Sequence, residues 1–214
     1  MSIRNLDHII SKQRAHYEFI PIGVNCDPSL YLRSRGLRQT AFPFDWAVVP
    51  MQSVIELIAN DFSGFLDPES VIFLPPTKRL LISEDGSHLE ISNDIITPVV
   101  CARYRILFPH DFPEAGAKVF GEVRAKYSRR IEKLEKLLRS DTEVVFVCST
   151  APLNDWQREQ YDKASVTAAP SHLDAWQDKL GALMTRKYPD LDYAVCTLQR
   201  LAAGIEGKAA RPVT

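Results

Sequence analysis

The chain has 214 residues, of which 45% are apolar and 25% are charged, with a formal net charge of -1. These values are ordinary for a globular protein, and nucleic acid is not an expected partner because no basic stripe with interleaved aromatic residues is present. No apolar run approaches the roughly 20 residues of a transmembrane helix, and the N-terminal segment is too polar for a signal peptide, so we expect a cytoplasmic protein without a membrane partner.

The four cysteines lie far apart in the sequence, and no two of them form a C-x-x-C pair. This spacing is typical neither of a disulfide framework nor of a zinc site. Cys148 and Cys196 lie in apolar, strand-like runs, which predicts buried and reduced side chains. Cys26 lies instead in a polar corner of the chain. The sequence therefore predicts no metal ion and no cofactor.

In chain order, residues 1–17 form an N-terminal segment, and the apolar run 19–22 predicts a buried strand that ends at Gly23. A short helix should follow, with Asp27 as its N-cap and Gly36 at its C-terminal cap. Three arginines near the end of this helix complement the helix dipole and are expected to be solvated. They are Arg33, Arg35 and Arg38.

The middle of the chain changes character twice. An amphipathic helix is predicted over residues 53–65, and prolines with short apolar runs then predict a small β-rich, partly antiparallel section around residues 70–108. Asp85-Gly86 is the hairpin signal within that section. A long helix capped by Asp111 should run to about Ser140, with the pair Arg129-Arg130 on a solvated edge.

The last third contains a buried strand over 143–149, a polar loop over 150–170, a helix to about Lys187 and a strand over 193–198. Ser171 and Asp174 resemble a capping box at the start of that helix. Strand, helix and strand in this order predict a parallel βαβ unit. The predicted fold class is α/β: a single domain over 18–200, with a mixed sheet, flanking helices and the small β-rich section around 70–108, followed by a tail over 201–214.

The polar corner has the features of a nucleophilic site. Cys26 directly precedes the predicted N-cap, and a helix N-terminus lowers the pKa of a thiol below its usual value near 8.5. The free N–H groups of such a helix start can hold an oxyanion, and the Asn25 amide is a second donor. The negative charge of Asp27 acts in the opposite direction and raises the thiol pKa.

A cysteine nucleophile needs a base. His110 is the first candidate, because it lies at a junction of two predicted elements, where site residues often occur. His88 is the second candidate, and His172 is expected to be exposed.

A third group must orient the imidazole. The candidates are Asp45, Asp111, Asn154 and Asp155. Neighbours on an extended chain point apart, so Asp45 or the pair Asn154-Asp155 is better placed for His110 than Asp111.

The motifs occur in a recognisable order: IGVNCDPSLYLRSRGLR, FPFDW, DFSGFL, FPHDF, and the basic helix KYSRRIEKL before VVFV. In this order, over about residues 18–150, the chain resembles a bacterial family described as "putative papain-like cysteine peptidases" and otherwise catalogued as a domain of unknown function. The resemblance implies Cys26 as nucleophile and His110 as base. It further implies an Asp or Asn as orienter, for which we choose Asp45, with Asn25 and Asp111 assigned to the oxyanion or substrate.

The first functional hypothesis is a cysteine hydrolase, peptidase-like, that cleaves an amide or ester of a peptide or small molecule through a Cys-His dyad. The alternative is a non-catalytic or transferase-type α/β module that binds a phosphorylated or sugar ligand at the helix start and its arginines. In a third hypothesis the corner only packs.

Overall fold

The computed structural model describes residues 17–82, 89–149, 151–169 and 175–209. Within these ranges the chain forms eight strands and six α-helices. The strands are β1 Tyr17–Gly23, β2 Val71–Phe73, β3 Thr77–Ile82, β4 Leu89–Ile96, β5 Val99–Cys101, β6 Ile106–Phe108, β7 Glu143–Ser149 and β8 Tyr193–Thr197. The helices are α1 Asp27–Ser34, α2 Met51–Ala59, α3 Ala117–Leu138, α4 Asp155–Lys163, α5 Trp176–Lys187 and α6 Leu198–Ala209.

A parallel sheet of order β1-β7-β8 forms the centre of the molecule. Strand β1 pairs with β7 along its whole length, from Tyr17 opposite Glu143 to Gly23 opposite Ser149. Strand β8 pairs with the other side of β7. Parallel strands buried on both faces read as continuous apolar runs, as β7 does here. The predicted α/β class and the parallel βαβ unit are therefore confirmed.

Helices cover both faces of this sheet. On one face, Leu32 of α1 and Leu201 of α6 pack against alternate strand residues such as Val145 and Val147. On the other face, helices α2, α3 and α5 bury a larger apolar cluster. Its helical members include Leu57, Tyr127 and Met184. The chain is thus a single α/β domain in three layers, with the carboxyl ends of the parallel strands at one edge.

The predicted β-rich section is confirmed, and it consists of two sheets that are antiparallel throughout. Strands β2, β5 and β6 form one sheet, and β3 with β4 forms the other. The hairpin signal Asp85-Gly86 lies outside the described residues. The β-rich section ends at β6. Residue 109 and the residues after it therefore connect this section to helix α3.

One helix boundary was predicted wrongly, and two helices were not predicted. The predicted helix over 53–65 ends at Ala59, because Asp61 and Phe62 adopt positive φ angles that no helix continues through. The predicted loop over 150–170 contains α4, which opens with a capping box formed by Asn154 and Gln157. Helix α6 runs through residue 209, into the stretch predicted as a tail.

One predicted cap was also wrong, and another lies outside the described residues. Asp111 does not cap α3, which begins after Gly116, because its carboxylate binds side chains on the helix instead. The residue at the N-cap of α5 is Ala175, while Ser171 and Asp174 lie outside the described residues. Nowhere in the described ranges is a helix both long enough and apolar enough to cross a bilayer.

Candidate functional site

The segment that follows the FPFDW motif joins the two loops that carry the predicted nucleophile and base. The Val49 N–H donates to the carbonyl of Gly23 at 3.1 Å, three residues before Cys26. Val48 forms a two-way backbone bridge with Leu107, three residues before His110. Residues more than eighty positions apart in the sequence are thereby brought to opposite sides of one short segment.

Cys26 is itself the N-cap of α1, rather than the residue before it. Asp27 is the first residue of the helix and Pro28 follows it, so the acidic side chain lies in the first turn. Helix α1 ends as predicted, with Gly36 at φ 62° and the Leu37 N–H donating to the Leu32 carbonyl, which is a Schellman ending.

The predicted depression of the Cys26 pKa is wrong. Burial is the main cause that raises the pKa of the thiol to about 11, and the negative charge of Asp27 raises it further. The thiol's bond with its own backbone N–H acts weakly in the other direction. Desolvation disfavours the charged thiolate more strongly than this hydrogen bond favours it. The resting side chain is therefore a neutral thiol, and the predicted effect of Asp27 is confirmed.

Asn25 and the α4 helix flank this cysteine. The Asn25 side-chain amide donates to the Asp27 carboxylate at 2.5 Å, so that donor is engaged in the described geometry. Gln157, which is buried, donates its amide to the carbonyl of Val24 at 3.2 Å. Gln157 thus fastens α4 to the chain just before Cys26, a role that nothing in the sequence indicated.

Asp45, the aspartate of the FPFDW segment, is fully buried against α1. Its Oδ1 lies 2.9 Å from Nη1 of Arg38 and 3.4 Å from the Ser29 hydroxyl, and the backbone N–H of Phe42 donates to its Oδ2 at 2.8 Å. Burial raises the pKa of this carboxyl to about 6, although Arg38 and the Phe42 hydrogen bond act to lower it. Ser29 lies one turn after Cys26 on α1, so Asp45 is anchored to the helix of the cysteine.

Asp111 belongs to a second buried group, on the side of α3. The Tyr127 hydroxyl donates to its Oδ2 at 2.6 Å, and Lys126 forms an ion pair with its Oδ1. The side chain of Arg130 lies over the Tyr127 ring, with its guanidinium carbon 5.1 Å from the ring centroid. Burial and the neighbouring Asp111 raise the Tyr127 pKa well above its usual value, so the phenol is a hydrogen-bond donor.

The group around Asp45, with Ser29 and Arg38, is electrostatically connected to the group around Asp111, with Lys126, Tyr127 and Arg130. Together they form one cluster. The charge of Arg130 lowers the pKa of Asp45, and the charge of Asp45 raises the pKa of Tyr127. His110 precedes Asp111 directly and is half-buried, between the fully buried Phe108 and Phe112. The predicted residues Asp45 and Asp111 therefore belong to one cluster, and His110 is the residue directly before Asp111.

The other sequence candidates fall elsewhere. Asn154 caps α4, and Asp155 is fully exposed and pairs with Arg158, so neither faces the cluster as an orienter. His88 and His172 lie outside the described residues. Across the described ranges, no three His, Cys, Asp or Glu side chains converge as a metal site would require.

Four residues of the cluster were not predicted from the sequence as site residues: Ser29, Arg38, Tyr127 and Arg130. Arg38 was expected to be solvated, yet its side chain is 9% exposed because it pairs with Asp45. Arg130 was expected on a solvated edge. A signal for it existed, because Arg130 lies three residues after Tyr127 and next to Ile131, both of which the helical period assigns to the inner face.

Comparison with known proteins bears on residues 17–166, which match the model of the family described as "Putative papain-like cysteine peptidase (DUF1796)". A protein of Acanthamoeba polyphaga mimivirus, "Uncharacterized protein R408", is 23% identical over 150 residues, which is 68% of this chain and 67% of that protein. No solved structure matches the chain at a significant level. The family match supports a peptidase-like function at the level of the family.

Proposed function

The chain belongs to the family described as "Putative papain-like cysteine peptidase (DUF1796)", and from that premise we propose that it is a cysteine hydrolase that cleaves an amide or ester bond with Cys26 as nucleophile and His110 as base. The observation that carries the proposal is the backbone bridge at residues 48–49, which ties the chain before Cys26 to the chain before His110. A substrate between those two loops would meet both side chains.

The neutral state of Cys26 sets the order of events. His110 takes the thiol proton as the sulfur attacks the carbonyl carbon, and the carbonyl oxygen becomes an oxyanion. Backbone N–H groups of the first turn of α1 stabilise this oxyanion, except at Pro28, which has no N–H. The carbon–nitrogen or carbon–oxygen bond then breaks, and the leaving group takes the proton from His110. Water, activated by His110, releases the acyl group from the sulfur.

Asp45 and Asp111 support this chemistry in two different ways. We assign Asp45 the role of stabilising the imidazolium of His110 by its charge, since its oxygens are held by Arg38, Ser29 and Phe42. Asp111, held by Tyr127 and Lys126, fixes the loop that carries His110.

A chromogenic ester tests the proposal. Incubation with p-nitrophenyl acetate should release nitrophenolate, and mass spectrometry should find the acetyl group on the peptide that contains Cys26. Cys26→Ala and His110→Ala should each remove the release. The three buried cysteines of the same sample are internal controls. Acetylation of those cysteines at the same rate, or unchanged release by Cys26→Ala, contradicts the proposal.

The alternative is a non-catalytic or transferase-type module that binds a phosphorylated or sugar ligand. The observation that favours it is the raised pKa of Cys26, because a neutral thiol is a weak nucleophile. Under this alternative, Cys26→Ser keeps ligand binding intact, and phosphate or a nucleotide sugar raises the melting temperature of both proteins. Cysteine-dependent ester cleavage would rule it out.

A further inference from the structure

Two adjacent arginines of α3 have different surroundings. Arg129 is exposed, whereas Arg130 is half-buried and turns its guanidinium toward the candidate site. The Nη1 atom of Arg130 has no significant exposed surface and no hydrogen-bond partner. A buried N–H donor without an acceptor costs free energy, and such donors are satisfied in native proteins by water, by an ion or by a bound ligand group.

The carboxylates near Arg130 are already occupied. Asp45 is paired with Arg38, and Asp111 is paired with Lys126 and accepts from Tyr127. In the part of the chain that the structure describes, Arg130 forms no ion pair of its own. Three cations therefore face two carboxylates in this cluster, and one positive charge is in excess.

The contacts of Arg130 place this excess charge close to the candidate reaction centre. Its guanidinium packs on the ring of Tyr127, whose hydroxyl binds Asp111, the residue after His110. Packing on an aromatic face holds a guanidinium plane in a fixed orientation, with its N–H groups directed along the edge of that plane. That edge is the part of arginine that binds carboxylates and phosphates through two parallel hydrogen bonds.

We propose that Arg130 binds an anionic group of the ligand, a carboxylate or a phosphate, and so selects acidic substrates for the Cys26 site. The inference rests on the proposed function only where it calls the ligand a substrate. The anion site itself depends only on Arg130 and its neighbours. A free peptide carboxylate, an acidic side chain and a phosphate share the required chemistry.

Three small probes distinguish a carboxylate ligand from a phosphate ligand. N-acetylglycine carries an amide and a carboxylate, N-acetylglycinamide is its neutral counterpart, and inorganic phosphate is the third probe. Isothermal titration at constant ionic strength should give saturable binding of N-acetylglycine, phosphate or both to the full chain, and at least about tenfold weaker binding of the neutral amide. The anion that binds more tightly shows whether the site prefers a carboxylate or a phosphate.

Arg130→Gln should weaken anion binding about tenfold or more, and Arg129→Gln, which changes the neighbouring exposed arginine, should leave it within about twofold. Circular dichroism checks that the variants fold. Arg130→Lys keeps the charge but loses the two-pronged geometry, so it should bind with an intermediate affinity even where the glutamine variant does not fold. The inference is overturned by absence of anion binding, by equal binding of the neutral probe, or by equal effects at positions 129 and 130.

The Cys26→Ala variant separates this inference from the proposed function. If ester cleavage needs Cys26 but anion binding is independent of Arg130, the inference fails and the hydrolase stands. If anion binding needs Arg130 but ester cleavage survives in Cys26→Ala, the hydrolase fails and the anion site stands.

Discussion

Nη1 of Arg38 lies 2.9 Å from Oδ1 of Asp45, and the two side chains are 9% and 0% exposed. The pair connects the chain just after α1 to the FPFDW segment, and the Ser29 hydroxyl adds a hydrogen bond to the Asp45 carbonyl at 2.8 Å. Helix α1, whose N-cap is Cys26, is thereby fastened to the segment that bridges toward His110. The geometry of the candidate site depends on this buried ion pair.

Arg38→Gln should destabilise the protein by about 3–5 kcal/mol, because it leaves the Asp45 carboxylate buried without its counter-ion. Urea denaturation at pH 7.5 measures the loss. Arg33→Gln is the matched control, since Arg33 is an exposed arginine in the last turn of α1 and its loss should change stability by about 0.5 kcal/mol or less. Equal losses in the two variants would show that Arg38 is not the buried partner.

Asp45 should make stability fall as the pH rises from about 4 to about 7. Its pKa is about 6 in the folded protein against an ordinary value of 3.8, so in this window the native state binds more protons than the unfolded state. The difference in unfolding free energy between wild type and Asp45→Asn should therefore decrease by about 3 kcal/mol across the window. Denaturation curves at the two ends measure it. A difference that stays constant or increases with pH contradicts the raised pKa.

Cys26 should react slowly with iodoacetamide at pH 7.5. A pKa of about 11 in place of 9.0 lowers the thiolate fraction at neutral pH about a hundredfold, and the alkylation rate should rise about tenfold per pH unit and level off only near pH 11. Asp27→Asn should accelerate alkylation about two- to tenfold by removing a neighbouring negative charge. Asp155→Asn, at a first-turn aspartate of another helix, should have no effect. Fast alkylation of Cys26 at neutral pH would contradict the raised pKa of its thiol.

Tyr127→Phe should cost about 1.5–3 kcal/mol, because the mutation removes a 2.6 Å hydrogen bond to the Asp111 carboxylate inside the protein. Tyr31→Phe is the control, since the Tyr31 hydroxyl is buried and has no hydrogen-bond partner in the structure. Its removal should be neutral or slightly stabilising. Thermal or urea denaturation compares the two. Similar losses would mean that the Tyr127 hydroxyl contributes nothing specific.

Gly23→Ala should destabilise the protein by about 2–5 kcal/mol. Gly23 adopts φ 121°, and a Cβ there would lie 2.7 Å from the carbonyl oxygen of Ser149, a backbone atom that cannot move aside cheaply. Gly121→Ala is the opposite case, since nothing lies within 4 Å of an added Cβ and the residue is inside α3. That variant should gain about 0.5–1 kcal/mol. A mild effect at Gly23 would mean that β1 and β7 can separate at their carboxyl ends.

Much of the fold was predictable because it depends on local patterns. The apolar runs of β1 and β7 predict buried strands, and the inner face of α3 follows from the spacing of Val123, Tyr127 and Leu134, all of which are buried. Helix α4 was missed because it is polar and has few buried apolar residues, so periodicity carries little signal there. Its capping box, Asn154 with Gln157, was the available clue.

The sequence by itself determined the parallel α/β core, the cysteine at the start of α1 and the family motif around it. Only the tertiary structure decided that Arg38 and Arg130 turn inward, and that the Cys26 pKa rises rather than falls. The reason is physical: a strand or helix depends on neighbours in sequence, whereas the partners of a charged side chain and the loss of its water depend on residues far along the chain. The charge state of Cys26 and the partners of Arg38 and Arg130 therefore depend on contacts between residues that are distant in the sequence.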